Sequence, residues 1–204
     1  MHLRGEVCSL KSLAKKDVMV GEVWEVPVFT ACWSGMFCTI PPIHPVYAVH
    51  SKYFFHVYLE STTADSVRMT LIPKARYTTD KGRRVPAKLC GVQLDTLTSI
   101  NLAFRMVGMV LPYKALSCNC KHYIEYVRYG ETFGSITNLA YRPAHAKCPV
   151  YKKITSQQQV NSRYFYLEDK KGKQYRPNYD PLGCTIEEFI NEFNKKNYPS
   201  EPKL

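Results

Sequence analysis

The sequence predicts an α+β protein in which an antiparallel sheet packs against the helix that carries a cysteine, followed by a C-terminal extension made of a hairpin and a helix. Two observations lead to this prediction. Up to about residue 90, short segments rich in β-branched and aromatic residues are separated by turn signals. Further along, three segments repeat apolar residues every three or four positions, which is the period of a helix.

The first predicted strand lies in GEVWEVPVFT, residues 21–30, where apolar and polar side chains alternate. Pro27 cannot donate a backbone hydrogen bond, so it indicates the end of this strand or the edge of the sheet. Residues 30–43 contain a glycine and two adjacent prolines, and we predict a loop there.

A hairpin is predicted next, because HPVYAV (44–49) and YFFHVYLE (53–60) flank the short polar insert 50–52. SVRMTLIP (66–73) places apolar side chains at every second position and predicts another strand. A turn is expected at residues 80–82. Four strands that follow one another at such short spacing favour antiparallel pairing.

The helical pattern begins in residues 95–109, where Thr96 or Thr98 is a candidate N-cap. The apolar stripe of this first helix is formed by Leu97, Ile100, Ala103, Phe104 and Val107. A second helix is predicted in NCKHYIEYVRYG (119–130), with Asn119 as its N-cap and Gly130 as its left-handed C-terminal stop.

The C-terminal extension is predicted to be ordered. RYFYLEDKKGKQYRPNY (163–179) is typical of a hairpin that turns at residues 170–173. TIEEFINEFNKKN (185–197) begins with a capping box from Thr185 to Glu188 and predicts a terminal helix. The apolar stripe of that helix is Ile186, Phe189, Ile190 and Phe193.

The chain is basic, with a formal net charge of +11 and a sequence pI near 9.2. Residues 141–177 hold nine lysines and arginines and two acidic residues, a local net charge of 9 − 2 = +7. Such a surface attracts phospholipid headgroups and nucleic acid alike, and charge alone does not choose between them. A solvated basic face without a partner is the third interpretation.

The longest apolar runs fall short of the about 18 residues that a membrane-spanning helix requires. The first 20 residues show no apolar segment of signal-peptide length, so we expect a cytoplasmic protein. We expect the eight cysteines to be mostly free thiols. Neither Cys32 and Cys38 nor Cys118 and Cys120 have a common zinc spacing, and we predict no metal and no cofactor.

Cys120 is the candidate nucleophile. If Asn119 caps the helix, Cys120 is its first residue, where free backbone N–H groups and the helix dipole stabilise a thiolate. Lowering its pKa to about 6 from the usual 8.5 would make the thiolate the major form at pH 7. Ile124 and Val127 share its helix face, so the sulfur should point toward the sheet. A buried core cysteine is the alternative. His122 is expected at the surface or capping the helix, and Cys118 is expected to be a buried thiol.

A histidine that serves such a nucleophile is expected on the hairpin. A three-residue turn at 50–52 places Val46 opposite His56 and His44 opposite Tyr58, so that both histidines lie on one face of the sheet as diagonal neighbours. A two-residue turn would send His44 and His56 to opposite faces, so this prediction depends on the register.

The segment 119–130 resembles the Asn-Cys-Glu-His-Phe and Arg-Tyr-Gly block of the lecithin:retinol acyltransferase-like proteins, which include the H-Ras-like suppressor phospholipase A/acyltransferases. These proteins belong to the NlpC-type, permuted papain-like superfamily. Residues 21–27 are similar to the family's opening strand, and residues 44–56 to its H-box, in which two histidines stand twelve positions apart. The resemblance covers about residues 21–135, which leaves a basic leader (1–20) and a basic, tyrosine-rich extension (136–204).

This resemblance implies a permuted papain-like fold and a thiol acyl-transfer enzyme with a Cys-His-His site. Cys120 would take a fatty acyl group from a glycerophospholipid, His44 would be the general base, and His56 the orienting third residue. Water, an amine or an alcohol would then accept the acyl group, as in a phospholipase A or an acyltransferase. The basic surface and the terminal helix would hold the enzyme at an anionic membrane.

A second hypothesis is a non-enzymatic H-box/NC protein that binds RNA or a protein partner through its basic surface. In this case tyrosines interleaved with lysines and arginines on the C-terminal hairpin could stack with bases. They could equally form the inner face of that hairpin. The tyrosines concerned are Tyr164, Tyr166, Tyr175 and Tyr179.

Overall fold

The structure is a computed structural model. It describes residues 18–27, 43–59, 65–74, 82–85, 93–132, 143–154, 159–160, 165–179 and 184–197. Within these ranges the chain forms a six-stranded antiparallel sheet, a two-stranded hairpin and three helices, which confirms the predicted α+β class. The predicted loop at 30–43 and the turn at 80–82 fall almost entirely outside the described residues.

The six strands of the main sheet are arranged in the order β5-β1-β2-β3-β4-β6, and every neighbouring pair is antiparallel. The four predicted strands are all present, and the first ends at Pro27 as expected. Two strands of only three residues were not predicted, because they are too short to show an alternating pattern. The strands are β1 Val23–Pro27, β2 Ile43–His50, β3 Tyr53–Leu59, β4 Ser66–Pro73, β5 Arg83–Val85 and β6 Val110–Pro112.

The β2–β3 hairpin has a different turn from the predicted one but the predicted register. His50 pairs with Tyr53, so the turn contains two residues, not three. An irregularity between Ala48 and His50 then adds one residue to β2, and beyond it Ala48 lies opposite Phe54. Because a bulge of one residue offsets the shorter turn, the register that places both histidines on one face is preserved.

Three helices follow the predicted periodicity: α1 Thr96–Met106, α2 Cys120–Tyr129 and α3 Ile186–Asn197. The N-cap of α1 is Asp95, whose carboxylate accepts a hydrogen bond from the backbone N–H of Thr98 (2.9 Å). The prediction of Thr96 or Thr98 as the cap was therefore wrong. Aspartate satisfies the free N–H groups of the first turn as well as threonine does, and it lies one residue before the helix.

The two faces of the sheet carry two separate apolar clusters. On the helix-covered face, Tyr47, Phe55 and Met69 belong to one large cluster together with residues of all three helices. On the opposite face, which we call the second face, Trp24, Val46 and Phe54 belong to a smaller cluster. Since side chains alternate along a strand, neighbouring residues of β2 and β3 point into different clusters.

The C-terminal extension contributes to the helix-covered core. Its hairpin consists of β7 Leu167–Glu168 and β8 Gln174–Tyr175, with the predicted turn between them. Val150 and Leu167 are buried in the same cluster as the strands of the main sheet. The capping box of α3 is formed as predicted, since Thr185 and Glu188 exchange backbone-to-side-chain hydrogen bonds of 2.7 and 3.2 Å.

A disulfide joins Cys118, just before α2, to Cys148 in the extension. The expectation of free thiols was wrong for these two residues. Sequence spacing could not reveal the pair, because its 30-residue separation is closed by the tertiary fold. Among the described residues, no helix combines the length and the apolar character needed to cross a membrane.

Candidate functional site

Cys120 is the first residue of α2, and the turn that precedes it is fixed by a capping box. The side chain of Asn119 accepts a hydrogen bond from the backbone N–H of Lys121 (3.0 Å). The imidazole of His122 accepts one in return from the backbone N–H of Asn119 (3.2 Å). The predicted N-cap and the capping role of His122 are confirmed, although His122 is fully buried and not at the surface.

The thiol of Cys120 is not held as a thiolate. Burial raises its pKa to about 11, although the backbone N–H groups of Lys121 and Cys120 and the charge of Lys121 act in the opposite direction. The carboxylate of Glu25 raises the pKa further. Part of the residue is exposed, but the sulfur itself is desolvated against the helix-covered core. The expectation of an ionised sulfur was wrong because desolvation outweighs the helix terminus.

Tyr113 is a neighbour of Cys120 that the sequence did not single out. It follows β6 directly and packs against the helix-covered core. Burial raises the pKa of its phenol to about 12, and the nearby Cys120 contributes in the same direction. Glu25 lies close enough to the thiol to influence its pKa, and the thiol lies close enough to Tyr113 to influence the pKa of the phenol. Both come from the sheet, and no local pattern in the sequence connects them with α2.

His44 and His56 form a pair in which His56 is buried and His44 is partly buried. They lie on the neighbouring strands β2 and β3, with ring centroids 4.6 Å apart in an edge-to-face arrangement. This agrees with the predicted register, in which both side chains share one face. Within the part of the chain that the structure describes, the buried Nε2 atom of His44 has no hydrogen-bond partner.

Both imidazoles are neutral at pH 7. Burial lowers the pKa of His44 to about 4. Burial also lowers the pKa of His56 well below its usual value, and repulsion from His44 contributes to that shift. A protonated pair would place two like charges side by side in an apolar environment, so the neutral forms are favoured.

The structure brings the two histidines together but places Cys120 on the other side of the sheet. His44 pairs with Val26 and alternates with Tyr47, so it points to the second face. His56 alternates with Phe55 and points to the same second face. Cys120 packs against the helix-covered cluster. The backbone of the sheet therefore separates the thiol from both rings.

The extension carries several exposed lysines on two segments that lie side by side. The backbone N–H of Lys170 in the hairpin turn donates to the carbonyl of Ala146 (3.0 Å), which places the turn beside residues 143–154. Glu168 lies 3.7 Å from the Lys152 ammonium and joins the two segments again. We call the exposed lysines here the lysine surface: Lys147, Lys152, Lys170, Lys171 and Lys173.

The hairpin turn of the lysine surface has a defined conformation. Asp169 is buried, and its carboxylate accepts hydrogen bonds from the backbone N–H groups of Lys171 (2.9 Å) and Lys173 (3.0 Å). Gly172 adopts a positive φ of 78°, which is readily accessible only to glycine. Hydrogen bonds within the turn therefore fix its backbone conformation, while its three lysine side chains are exposed to solvent.

Only part of the predicted tyrosine array is available at this surface. Tyr166 is 40% exposed. Tyr175 and Tyr179 are partly buried against the helix-covered core, and Tyr179 donates to Glu192 on α3. Tyr164 lies outside the described residues. Two of these four tyrosines thus form the inner side of the extension, and the basic charge is the dominant property of its outer side.

Comparison with known proteins adds no family assignment. A scan against protein-family models finds no model that matches the chain, and a search of curated proteins finds no matching sequence.

Proposed function

We propose that this chain is a non-enzymatic nucleic-acid-binding protein that uses the lysine surface to bind the phosphate backbone of single-stranded RNA. The observation that carries the proposal is the positive charge of two adjoining segments. Residues 143–154 and 165–179 contain seven lysines and arginines and two acidic residues, a net charge of 7 − 2 = +5 in 27 residues. One of the two acidic residues, Asp169, is buried in the turn and does not face solvent.

Lysine ammonium groups on a rigid turn suit a phosphate backbone, because each contact releases condensed counterions from the nucleic acid. The exposed ring of Tyr166 in the same hairpin supplies one stacking position for a base. Lys173 lies 5.1 Å above the ring of Tyr175, so this ammonium is already positioned beside an aromatic side chain. This chemistry predicts binding that is strongly salt-dependent and tolerant of sequence.

An anionic membrane fits the observations less well than RNA does. A helix that lies on a bilayer must expose its apolar stripe to the lipid. The apolar stripe of α3 is not exposed to lipid, because Phe189, Ile190 and Phe193 are buried in the helix-covered core. Phosphate binding in water requires no such apolar face.

The test is RNA affinity, measured by fluorescence anisotropy with a labelled single-stranded oligonucleotide at several salt concentrations. We expect Lys170→Ala/Lys171→Ala to weaken binding and to reduce the slope of log K against log salt by about 1.4, at about 0.7 for each lost contact. The matched control is Lys195→Ala/Lys196→Ala, which removes the same charge from exposed positions on α3. Equal losses in the two variants would mean that RNA senses only the total charge, which contradicts a defined surface.

Thiol acyl transfer from a glycerophospholipid is the second candidate function, with the permuted papain-like arrangement that it implies. It is favoured by Cys120 at a capped helix N-terminus, where two backbone N–H groups act on the sulfur. Such N–H groups also stabilise the oxyanion of an acyl-transfer intermediate. The high pKa of the thiol and the position of His44 and His56 on the second face make this candidate the weaker one.

Incubation with a radiolabelled phosphatidylcholine separates the two candidates. An acyl enzyme would appear as a labelled protein band that is absent in Cys120→Ser and is released by hydroxylamine, which cleaves thioesters. We expect no labelled band from the wild-type protein. A Cys120-dependent band would reverse our ranking of the two functions.

A further inference from the structure

The Cys118–Cys148 disulfide connects the start of α2 to the segment that carries part of the lysine surface. Cys118 lies two residues before α2, and Cys148 lies inside the segment 143–154 that carries part of the lysine surface. Both residues are buried, at 2% and 1% exposure. The disulfide is therefore a covalent attachment of the basic segment to the body of the protein.

Hydrogen bonds extend this attachment to the tip of the hairpin. The backbone N–H of His145 donates to the carbonyl of Ser117 (2.8 Å), next to the disulfide. One residue further, the carbonyl of Ala146 accepts from the backbone N–H of Lys170 in the hairpin turn. The position of the turn thus depends on a short segment that the disulfide holds in place.

We propose that Cys118–Cys148 is a reversible redox site that controls the order of the lysine surface and, with it, the affinity for RNA. The regulatory part rests on the proposed function. The oxidised protein has the ordered surface described above. Reduction releases residues 143–148, and the attached turn loses the support of Ala146.

The reaction is a thiol–disulfide exchange with a small cellular thiol such as glutathione or with a dithiol protein. A thiolate attacks one sulfur of the disulfide, the other sulfur leaves as a thiolate and is protonated, and a second thiol resolves the mixed disulfide. Two electrons and two protons pass to the protein, and the reductant leaves as its own disulfide.

The surroundings of the disulfide suit both redox states. A groove of about 530 Å³, lined among others by Ser117, Pro143 and His145, lies next to the chain segments that carry the two cysteines. Because neither cysteine lines this groove and both are buried, a small thiol reaches the disulfide when residues 143–148 open locally. After reduction, the Cys118 thiol has hydrogen-bond partners within reach. Its sulfur lies 3.1 Å from the hydroxyl of Tyr123 and 3.4 Å from the carbonyl of Pro112. The entrance of α2 can therefore stay in place while the segment on the other side is released.

The first measurement tests whether the Cys118–Cys148 disulfide forms and can be reduced. The full chain is equilibrated with glutathione buffers of different ratios, alkylated, digested and analysed by peptide mass spectrometry. We expect Cys118 and Cys148 to change from unlabelled to labelled together as the buffer becomes reducing. If both are alkylated even in fully oxidising buffer, the bond does not form and the proposal is overturned.

The second measurement follows order and affinity. Hydrogen exchange of residues 143–148 and 170–173 is compared between the oxidised protein and Cys118→Ser/Cys148→Ser, together with the affinity for the labelled oligonucleotide. We expect faster exchange in both segments and about five- to tenfold weaker binding in the variant. Cys184→Ser, which removes an exposed free thiol, is the control and should change neither quantity.

These readouts separate the redox site from the proposed function. Faster exchange without RNA binding in either state would reject the RNA-binding function and, with it, the control of affinity, while the redox site would stand. Equal exchange and equal affinity in the oxidised and the variant protein would reject the redox control, even if RNA binds tightly.

Discussion

At the scale of single residues, burial determines the charge state of the groups that could do chemistry. A helix N-terminus lowers the pKa of a cysteine, but the thiol of Cys120 is desolvated, and burial is the larger effect. The same effect keeps His44 and His56 neutral. A neutral thiol on one face of a sheet and a neutral imidazole pair on the other do not form a nucleophile and its base.

The pH dependence of stability tests the state of His44. Its pKa is about 4 in the folded protein and about 6.5 when unfolded, so the unfolded chain binds more protons between these values. The free energy of unfolding should therefore fall as the pH drops from 6.5 to 4, by an amount on the order of 3 kcal/mol. Urea unfolding at several pH values measures this loss.

The comparison is with His44→Gln, in which this position no longer titrates, and the pH dependence should be correspondingly smaller. His50→Gln alters an imidazole beside the β2–β3 turn and serves as the control. A pH dependence that is identical in the wild type and in His44→Gln would contradict the neutral state of His44.

Alkylation of Cys120 tests the charge of its thiol. With a pKa of about 11, only about one molecule in ten thousand carries the thiolate at pH 7. Because iodoacetamide reacts with the thiolate, the rate at Cys120 should rise about tenfold for each pH unit between 7 and 10. Peptide mass spectrometry follows Cys120 separately from the other cysteines. A rate that levels off near pH 7 would instead indicate an activated nucleophile.

At the scale of elements, local sequence signals account for most of the helix ends and turns that the structure contains. The capping boxes of α2 and α3, the left-handed Gly130 at the end of α2 and the lysine turn are set by residues a few positions apart. The β2–β3 hairpin shows the limit of such signals. A two-residue turn and a bulge produced the register that a three-residue turn would give, and the bulge has no signature in the sequence.

The docking of α3 provides a test at this scale. Phe189 is 1% exposed, and its ring stacks on that of Phe104 with centroids 4.6 Å apart. We expect Phe189→Ala to lower the free energy of unfolding by about 3 to 5 kcal/mol, since it leaves a cavity between α1 and α3. Urea denaturation measures the change. Asn191→Ala, on the exposed side of α3, should change it by less than about 0.5 kcal/mol.

At the scale of the whole molecule, the C-terminal extension and the main sheet share one core. Val150, Leu167 and Phe189 lie in the same apolar cluster as Tyr47 and Phe55. The backbone N–H of Ile154 also donates to the carbonyl of Gly130 at the end of α2 (2.6 Å). The segments that carry the lysine surface therefore pack against the same apolar core as the main sheet.

The contribution of the disulfide to stability is a prediction for the molecule as a whole. It closes a loop between residues 30 positions apart, which restricts the unfolded chain. We expect Cys118→Ser/Cys148→Ser to be less stable than the oxidised protein by about 3 to 4 kcal/mol in urea denaturation. In reducing buffer the wild-type protein should approach the stability of the variant. No difference between oxidised and reduced protein would contradict the bond.

The sequence by itself determined the α+β class, the four longer strands and the three helices. These follow from periodicities and caps that act over a few residues, because backbone hydrogen bonding and side-chain direction are local properties. The basic character of the extension is equally a property of composition.

Only the tertiary structure decided the side of the sheet on which Cys120 lies, the neutral state of its thiol and of the two imidazoles, and the pairing of Cys118 with Cys148. Desolvation depends on every atom that surrounds a group, and a disulfide depends on the distance between distant parts of the chain. Neither quantity exists until the sheet, the helices and the extension have packed together.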